Sequence, residues 1–524
     1  MTQRSATPAQ RAPLCTLRDS IFDVVVVGAG INGCSAAQHL AAAGYHVLLL
    51  DKGDIASGSS GRSSGLLHCG LRYLEPSPDL WTFAKRPDRL VIALKMARQA
   101  MKDRSAFVTS KPGQAKLFTF YFPVYRNTSF KKWQIDLALK TLEAIGGDRQ
   151  VPLGRLSLAR DQVAAHPLLR HLRDRDALAG VAGFREYRFD WPERIAVDLA
   201  LDARDLGARL HTYTRVERLE RRDDGHWVSH LKDSLTGETT HVTSPIVLNT
   251  AGIWMDGLLG RGGRAVKPLI NGTKGAHIAF KLAPELAGFG IATINRIGLP
   301  FYVVPWRGLH YVGPTETPYD SPLDQVAAND QDIAFLLDEA KHLLPGLGLR
   351  RQDILFTWAG VRPLGADPRF PEGKRAREIH DLADQGLPNV LAMTAGPIMT
   401  HRSAGRELTE AVRPRLAPTR DPVALTHRAR VFPENQNAPP LLDHFPDIKE
   451  SHVAFAAEHE LPESLCDIMV RRIGALWSET NGWEAAPRAA EIAGERLGWD
   501  EARRAREVEA YRSFLKIAVG RQDL

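Results

Sequence analysis

The chain has 524 residues, and a single hydrophobic core rarely grows past about 250–300 residues, so two or three domains are expected. Hydrophobic residues at 44% and charged residues at 25% are ordinary globular proportions, which exclude wholesale disorder and a coiled coil. The net charge of +7 comes from arginines spread along the whole chain, with no basic run interleaved with aromatics; this argues against nucleic acid and fits an anionic substrate or a peripheral membrane contact better.

Four cysteines, Cys15, Cys34, Cys69 and Cys466, lack the spacing of a zinc site, so no metal is expected and a reducing compartment is the natural setting. Residues 1–20 are polar, carry Pro8 and Pro13 and lack the apolar centre of a signal peptide. They are expected to form a loose arm. No run of roughly eighteen apolar residues exists, and a cytoplasmic protein is predicted.

From Asp23 the chain reads DVVVVGAGINGCSAAQHLAAAGYHVLLLDK. Val24 to Val27 predicts a buried parallel strand, and Gly28, Gly30 and Gly33 complete a GxGxxG turn around Ile31 and Asn32. The first glycine permits the turn, the second lets backbone approach a pyrophosphate, and the third lets helix pack on strand. The helix would start at the phosphate, its dipole favouring the anion, and would place Cys34 in a buried, inert position. Gly44 stops it, Val47 to Leu50 is a second strand, and Asp51 follows where a carboxylate accepts both ribose hydroxyls of an adenosine. Beyond Lys52 comes a small-residue stretch with Ser57, Ser59, Ser60, Arg62, Ser63 and Ser64, suited to the close approach of a long, flat ligand, which favours FAD over a nicotinamide cofactor.

Further along, 277–280, 303–306 and 309–313 read as antiparallel strands of a substrate-side sheet, with Trp306, Tyr311 and Trp358 as core aromatics. After Arg402 a helix carries Leu408 and Val412; Pro414, Pro418 and Pro422 then mark a linker, and the chain reads as helical from Ser451 to its end.

These residues resemble the FAD-dependent glycerol-3-phosphate dehydrogenase family, within the D-amino-acid-oxidase-like flavoproteins. Besides the start, Leu67-His68-Cys69-Gly70-Leu71-Arg72-Tyr73-Leu74-Glu75 resembles the family's flavin-facing segment and Lys274-Gly275-Ala276-His277-Ile278 its Lys-Gly-Ser-His-Ile strand. Asn249 to Trp254 resembles a second cofactor-contacting strand and turn, Thr357 to Leu364 the Gly-Val-Arg-Pro-Leu segment, and His452 to Leu515 the helical C-terminal domain. The resemblance implies an α/β fold: a Rossmann-like FAD-binding domain, an antiparallel-sheet substrate domain and a helical C-terminal domain. The expected division is 21–115, 190–260 and 345–412 for FAD, 116–189 and 261–344 for substrate, and 423–524 for the C-terminal domain.

By the same resemblance Val216, Thr250, Ala251, Gly252, Trp254, Gly396, Pro397 and Thr400 join the cofactor contacts. The catalytic expectation falls on His68, as base, and Arg362, whose planar guanidinium suits a phosphate or carboxylate. His277 and His401 rival His68, and Arg72, Tyr73 and either Arg375 or Arg377 would complete the substrate pocket. Three departures bear on the substrate: the family places a lysine at Gly65 and a glycine at Cys69. Its active-site lysine, in a late Gly-Gly-Lys turn, is here Pro397.

The expected activity is oxidation of the secondary alcohol of a small anionic polyol, glycerol 3-phosphate or a relative, with hydride passing to flavin N5 and electrons to quinone on the inner face of the cell membrane. The alternatives are the same chemistry on another hydroxy substrate, or a catalytically silent FAD-binding protein. Homodimer formation stays open.

Overall fold

The structure is a computed structural model and describes residues 10–74, 87–128, 131–146, 151–260, 266–427, 429–433, 435 and 437–524. Val24–Val27 (β1) and Val47–Leu50 (β2) pair in parallel, Val24 opposite Val47, and every residue of both is buried. Such unbroken branched runs suit a strand covered on both faces. The six-stranded sheet around them runs 378–381, 390–394, 246–249, β1, β2, 209–211, parallel throughout except for its antiparallel edge at 378–381.

The two faces of β1 have different partners. Val24 and Val26 lie under Ile31–Ala42 (α1), with Pro192–Asp205 (α2) and His401–Val412 (α3) packed beside it. Val25 and Val27 meet Trp227, Leu231 and Val242 of a three-stranded antiparallel sheet. Cys34 sits fully buried inside α1, and burial pushes its thiol well above the ordinary range.

The second layer is an eleven-stranded sheet. Its centre is the long antiparallel pair Ile270–Phe280 (β3) and Ile354–Asp367 (β4), with 309–313, 300–306 and 289–294 continuing beyond β3. The strands expected at 277–280, 303–306 and 309–313 fall here. The sheet is antiparallel except where 289–294 runs parallel to 115–125. One face carries Ala276, Ile278, Ala359 and Val361 against helix Asp330–Leu343. The other carries Trp306, Tyr311 and Trp358, core aromatics as expected, against C-terminal Trp477.

Two boundaries differ from expectation. Residues 354–374 were expected with the nucleotide-binding strands, yet they form strands of the larger sheet, because β4 finds its partner in β3 along nearly its whole length. Residues 10–20 are no loose arm: Leu14 and Leu17 are fully buried beside Phe22, and Arg11 binds Asp233 at 2.6 Å. Residues 1–9 lie outside the described residues.

The C-terminal helices are Glu450–His459, Ala486–Leu497 and Glu501–Ala518, with a short helical segment Asp467–Arg472. The proline-marked linker runs back across the end of α1, where the Arg420 and Val423 amides donate to the Gly44 and Ala42 carbonyls at 3.0 and 2.8 Å. Among the described residues, no helix is long and apolar enough to cross a membrane.

Candidate active site

A cavity of about 620 Å³ opens where the two sheets meet. This is ample for a cofactor-sized ligand. At one end the GxGxxG turn behaves as its residue types require. Gly28 has φ +106, and a side chain there would meet the Thr250 carbonyl at 2.6 Å. A Cβ on Gly33 would strike the Gly28 carbonyl at 1.8 Å. Gly30 is different: a Cβ there would meet only Ser60 Oγ, at 3.2 Å, and would otherwise point into the cavity.

Gly30 at the N-cap of α1 has no side chain to cap it; Ser60 Oγ accepts from the Ile31 amide at 2.9 Å, and the start of the helix, with its positive end, lies at the cavity. Asp51 accepts from the amides of Ala29 and Gly53 at 2.7 and 2.9 Å. Burial pushes its carboxyl up, against the pull of those two amides. Asn32, Lys52, Val216, Thr250, Ala251, Gly252 and Trp254 line the same end. Lys52 lies over the Trp254 ring at 4.1 Å and pairs with Asp324.

The serine stretch forms the wall between the two ends. Ser59 donates to the Val361 carbonyl at 2.6 Å and Ser63 accepts from the Gly65 amide at 3.1 Å. The Ser64 carbonyl accepts from the Tyr311 hydroxyl, and Arg62 reaches the Val326 carbonyl at 2.8 Å. Gly360 lets this wall touch β4, since a Cβ there would meet Arg62 backbone at 3.0 Å.

At the far end β3 and β4 present alternate residues to the cavity, with Gly275 opposite Gly360 and His277 opposite Trp358. The Arg362 guanidinium lies directly over Gly275, where a Cβ would be 2.5 Å from its Nη2. His277 is buried and stacks on Trp358 with centroids 4.6 Å apart, and neither ring nitrogen has a hydrogen-bond partner among the described residues. Burial, reinforced by Arg362, lowers its pKa to about 3, so the ring is neutral. His68 joins the lining with its ring edge against Tyr73, also in the lining, at 5.3 Å. Gly396, Pro397 and Arg375 close this end, and Arg375 is paired with Glu316.

A family model described as FAD dependent oxidoreductase matches residues 23–411. The chain belongs to the FAD-dependent oxidoreductases. A second model, the C-terminal domain of alpha-glycerophosphate oxidase, matches residues 424–504. The chain is similar to a glycerol-3-phosphate dehydrogenase of Synechocystis, 31% identical over 415 residues that span 76% of this chain and 70% of that protein. It is also similar to the aerobic glycerol-3-phosphate dehydrogenase of Staphylococcus aureus, 25% identical over 405 residues, covering 76% and 68% of the two chains. Its fold is shared by the FAD-complexed glycerol-3-phosphate dehydrogenase of Bacillus halodurans, with a TM-score of 0.71, 19% identity and 96% of each chain covered. The L-alpha-glycerophosphate oxidase of Mycoplasma pneumoniae shares it at a TM-score of 0.58 and 17% identity, covering 79% of this chain and 99% of that one.

The residues present fit FAD. A helix start at the cavity, a glycine whose missing side chain leaves room for a phosphate and a half-buried carboxylate just past the second strand are what an adenine dinucleotide requires. Four expected contacts lie elsewhere in this oxidoreductase. Gly33 packs behind the turn. Thr400 turns its hydroxyl to the Pro397 carbonyl, at 3.0 Å. His401 is buried beside Phe107 with its Nδ1 on the Ile398 carbonyl at 2.9 Å, which removes it as a rival base.

Arg377 is committed to Glu407, Thr400 and Ser403 around the start of α3, so of the two arginines proposed for substrate only Arg375 reaches the cavity. The side chain of Arg72, like Glu75, lies outside the described residues. Sequence reasoning missed Gly275 and Gly360, although both stand in segments that carry the resemblance, and it missed Thr214, Arg215, Ser234, Tyr302 and Pro314, which also line the cavity. The last five carry no motif; the fold alone brings them to the cavity.

Proposed function

We infer that the protein is a dehydrogenase of a small anionic polyol, glycerol 3-phosphate or a related secondary alcohol, with quinone as electron acceptor. The carrying observation is Arg362 laid across Gly275 beside the neutral His277, with His68 in the same cavity. When bound, the flavin would supply the two-electron acceptor for the alcohol's oxidation. Arg362 holds the anionic group by its planar fork. His277 cannot serve as an effective base with a pKa of about 3, but its neutral ring offers one donor and one acceptor to orient a substrate hydroxyl. His68, which lines the same cavity, is our candidate to take the hydroxyl proton.

The test is anaerobic flavin bleaching with a panel of alcohols. Bleaching by glycerol 3-phosphate or a longer polyol phosphate supports the reading, whereas no bleaching by any anionic alcohol leaves a silent FAD-binding protein.

One observation favours a relative of glycerol 3-phosphate. Pro397 lines the cavity where the family resemblance places a lysine, and Glu316 neutralises Arg375 nearby. A lost charge-assisted hydrogen bond is worth about 1.5–3 kcal/mol, roughly ten- to a hundredfold in rate. Glycerol 3-phosphate is therefore expected to rank below another anionic alcohol in kcat/KM. Finding it at the head of a panel of polyol phosphates and hydroxy acids would refute the point.

The membrane contact has its own support. Helices Pro87–Ser110 and Lys132–Gly146 pack together and expose Val91, Ile92, Trp133 and Leu137 alongside Lys95, Lys131 and Lys140. Exposed apolar residues with exposed lysines nearby in sequence suit an anionic bilayer. Trp133→Ala with Leu137→Asp should cut sedimentation with phosphatidylserine vesicles while leaving bleaching intact; undiminished sedimentation counts against this face.

A further inference from the structure

Three residues beyond the ribose-binding Asp51 stands a second acid, Asp54, which does not line the cavity and is 1% exposed. Its carboxylate is held by the C-terminal domain. Arg472 grips it with two donors, Nη1 to Oδ2 at 2.6 Å and Nη2 to Oδ1 at 2.8 Å, and Arg471 Nε adds a third at 2.5 Å. Arg471 also pairs with Asp467, whose two oxygens accept from the Tyr213 hydroxyl at 2.8 and 3.0 Å.

Tyr213 closes the circuit. Its amide donates to the Gly53 carbonyl at 2.8 Å and the next amide, of Thr214, to the Asp51 carbonyl at 2.6 Å. Gly53 and Thr214 line the cavity with Asp51. The ring therefore begins and ends on the turn that shapes the adenosine end of the site. Burial alone would raise Asp54, yet Arg472 and Arg471 outweigh it and hold the carboxyl below its ordinary range. Two arginines against two aspartates leave the ring neutral, which a set of charges this deeply buried needs.

We propose that the C-terminal domain is a clasp on the adenosine end of FAD, with Asp54, Tyr213, Asp467, Arg471 and Arg472 as positioning residues that hold the Asp51 turn in its cofactor-binding shape. None of them touches FAD. Two sites that bias one element are coupled reciprocally. Undocking the domain loosens FAD, and FAD in turn keeps the domain docked. The proposal needs only the FAD cofactor and is independent of which alcohol is oxidised.

The test titrates the apo-forms of full-length Asp54→Asn, Arg472→Lys and Tyr213→Phe with FAD, following flavin fluorescence. Arg307→Lys is the control. It disturbs another buried contact of the same domain, Arg307 with Asp190 and the Gly474 carbonyl, that does not reach the turn. Asp54→Asn and Arg472→Lys should raise the FAD Kd tenfold or more and Tyr213→Phe about threefold, with kcat and KM at saturating FAD within twofold of the parent. Arg307→Lys should lower Tm and leave the Kd alone.

In the parent, FAD should slow proteolysis of the 413–422 linker at least tenfold, and this protection should shrink in the ring variants. An unchanged Kd in any folded ring variant, an equal rise in Arg307→Lys, or linker cleavage indifferent to FAD would overturn the clasp. If Asp54→Asn and Arg472→Lys do not fold, Tyr213→Phe decides alone.

Discussion

Gly30 and Gly33 stand one helical turn apart, and their substitutions should fail in different ways. A Cβ at Gly30 meets only Ser60 Oγ and otherwise enters the cavity, so Gly30→Val is expected to fold, with Tm within a few degrees of the FAD-free parent, and to hold no FAD. At Gly33 a Cβ would sit 1.8 Å from backbone, so even Gly33→Ala should cost about 1–3 kcal/mol or more of stability. Circular dichroism melts with flavin absorbance separate the two, and full FAD occupancy in folded Gly30→Val would contradict the placement of the pyrophosphate. Arg362→Lys should raise the substrate KM ten- to a hundredfold with an unchanged flavin spectrum, because an ammonium cannot reproduce a bidentate fork; normal steady-state kinetics would remove it from the anion site. At this scale the sequence was most legible where one short segment contains all the partners, as with the glycines and Asp51. Asp54 gave no signal, since its arginines lie 417 and 418 residues away. The neutral state of His277 was hidden for a similar reason, because it depends on burial against Trp358 of another strand.

Between elements, Arg377 shows how a residue near a site can serve the scaffold instead. It ties strand 378–381 to the start of α3, through Glu407 at 2.9 Å, Thr400 at 2.8 Å and Ser403 at 3.0 Å. Arg377→Met is expected to lower Tm by several degrees, with KM unchanged once FAD is saturating. Arg375→Met should do the reverse. A KM effect in Arg377→Met without thermal loss would reverse the two assignments. The sequence offered no means of choosing between them, because both lie in one basic run and a bend at Ala376, between strands 370–374 and 378–381, separates them. Periodicity located β1, β2, α1 and the strands around β3 well. It could not say which sheet β4 joins, since a buried apolar run looks the same in either layer.

Across the whole molecule, buried histidines make the fold sensitive to acid. Burial lowers His277 to about 3 and His211 and His310 to about 4, from an ordinary 6.5. Their folded pKa values are depressed, so stability is intact above pH 6.5 and falls as the pH drops from there towards 4, where the unfolded chain takes up protons that the folded chain refuses. Each fully refused proton is worth about 1.4 kcal/mol per pH unit. Glu193 opposes them by one proton, since burial raises it to about 8. Thermal melts of the parent should therefore show a clear fall in Tm between pH 7 and pH 5, partly relieved in His310→Asn. Equal Tm at the two pH values would show that these rings are not held neutral.

The domain plan was legible only in outline, because strands 246–249 and 390–394 reach the sheet of β1 from far along the chain. That threading also governs the order of assembly during synthesis. Ribosomes deliver roughly 5–20 residues per second, so β1 emerges on the order of 10–45 s before the strand that covers its open edge. Nascent chains stopped at residue 380 should still present the GxGxxG turn yet lack the strand 390–394 and all of the C-terminal domain. They are expected to sediment as aggregates or to occupy chaperones, and to retain no flavin. Cofactor loading is in this way deferred to the last stage of synthesis, after nearly the whole chain has left the ribosome.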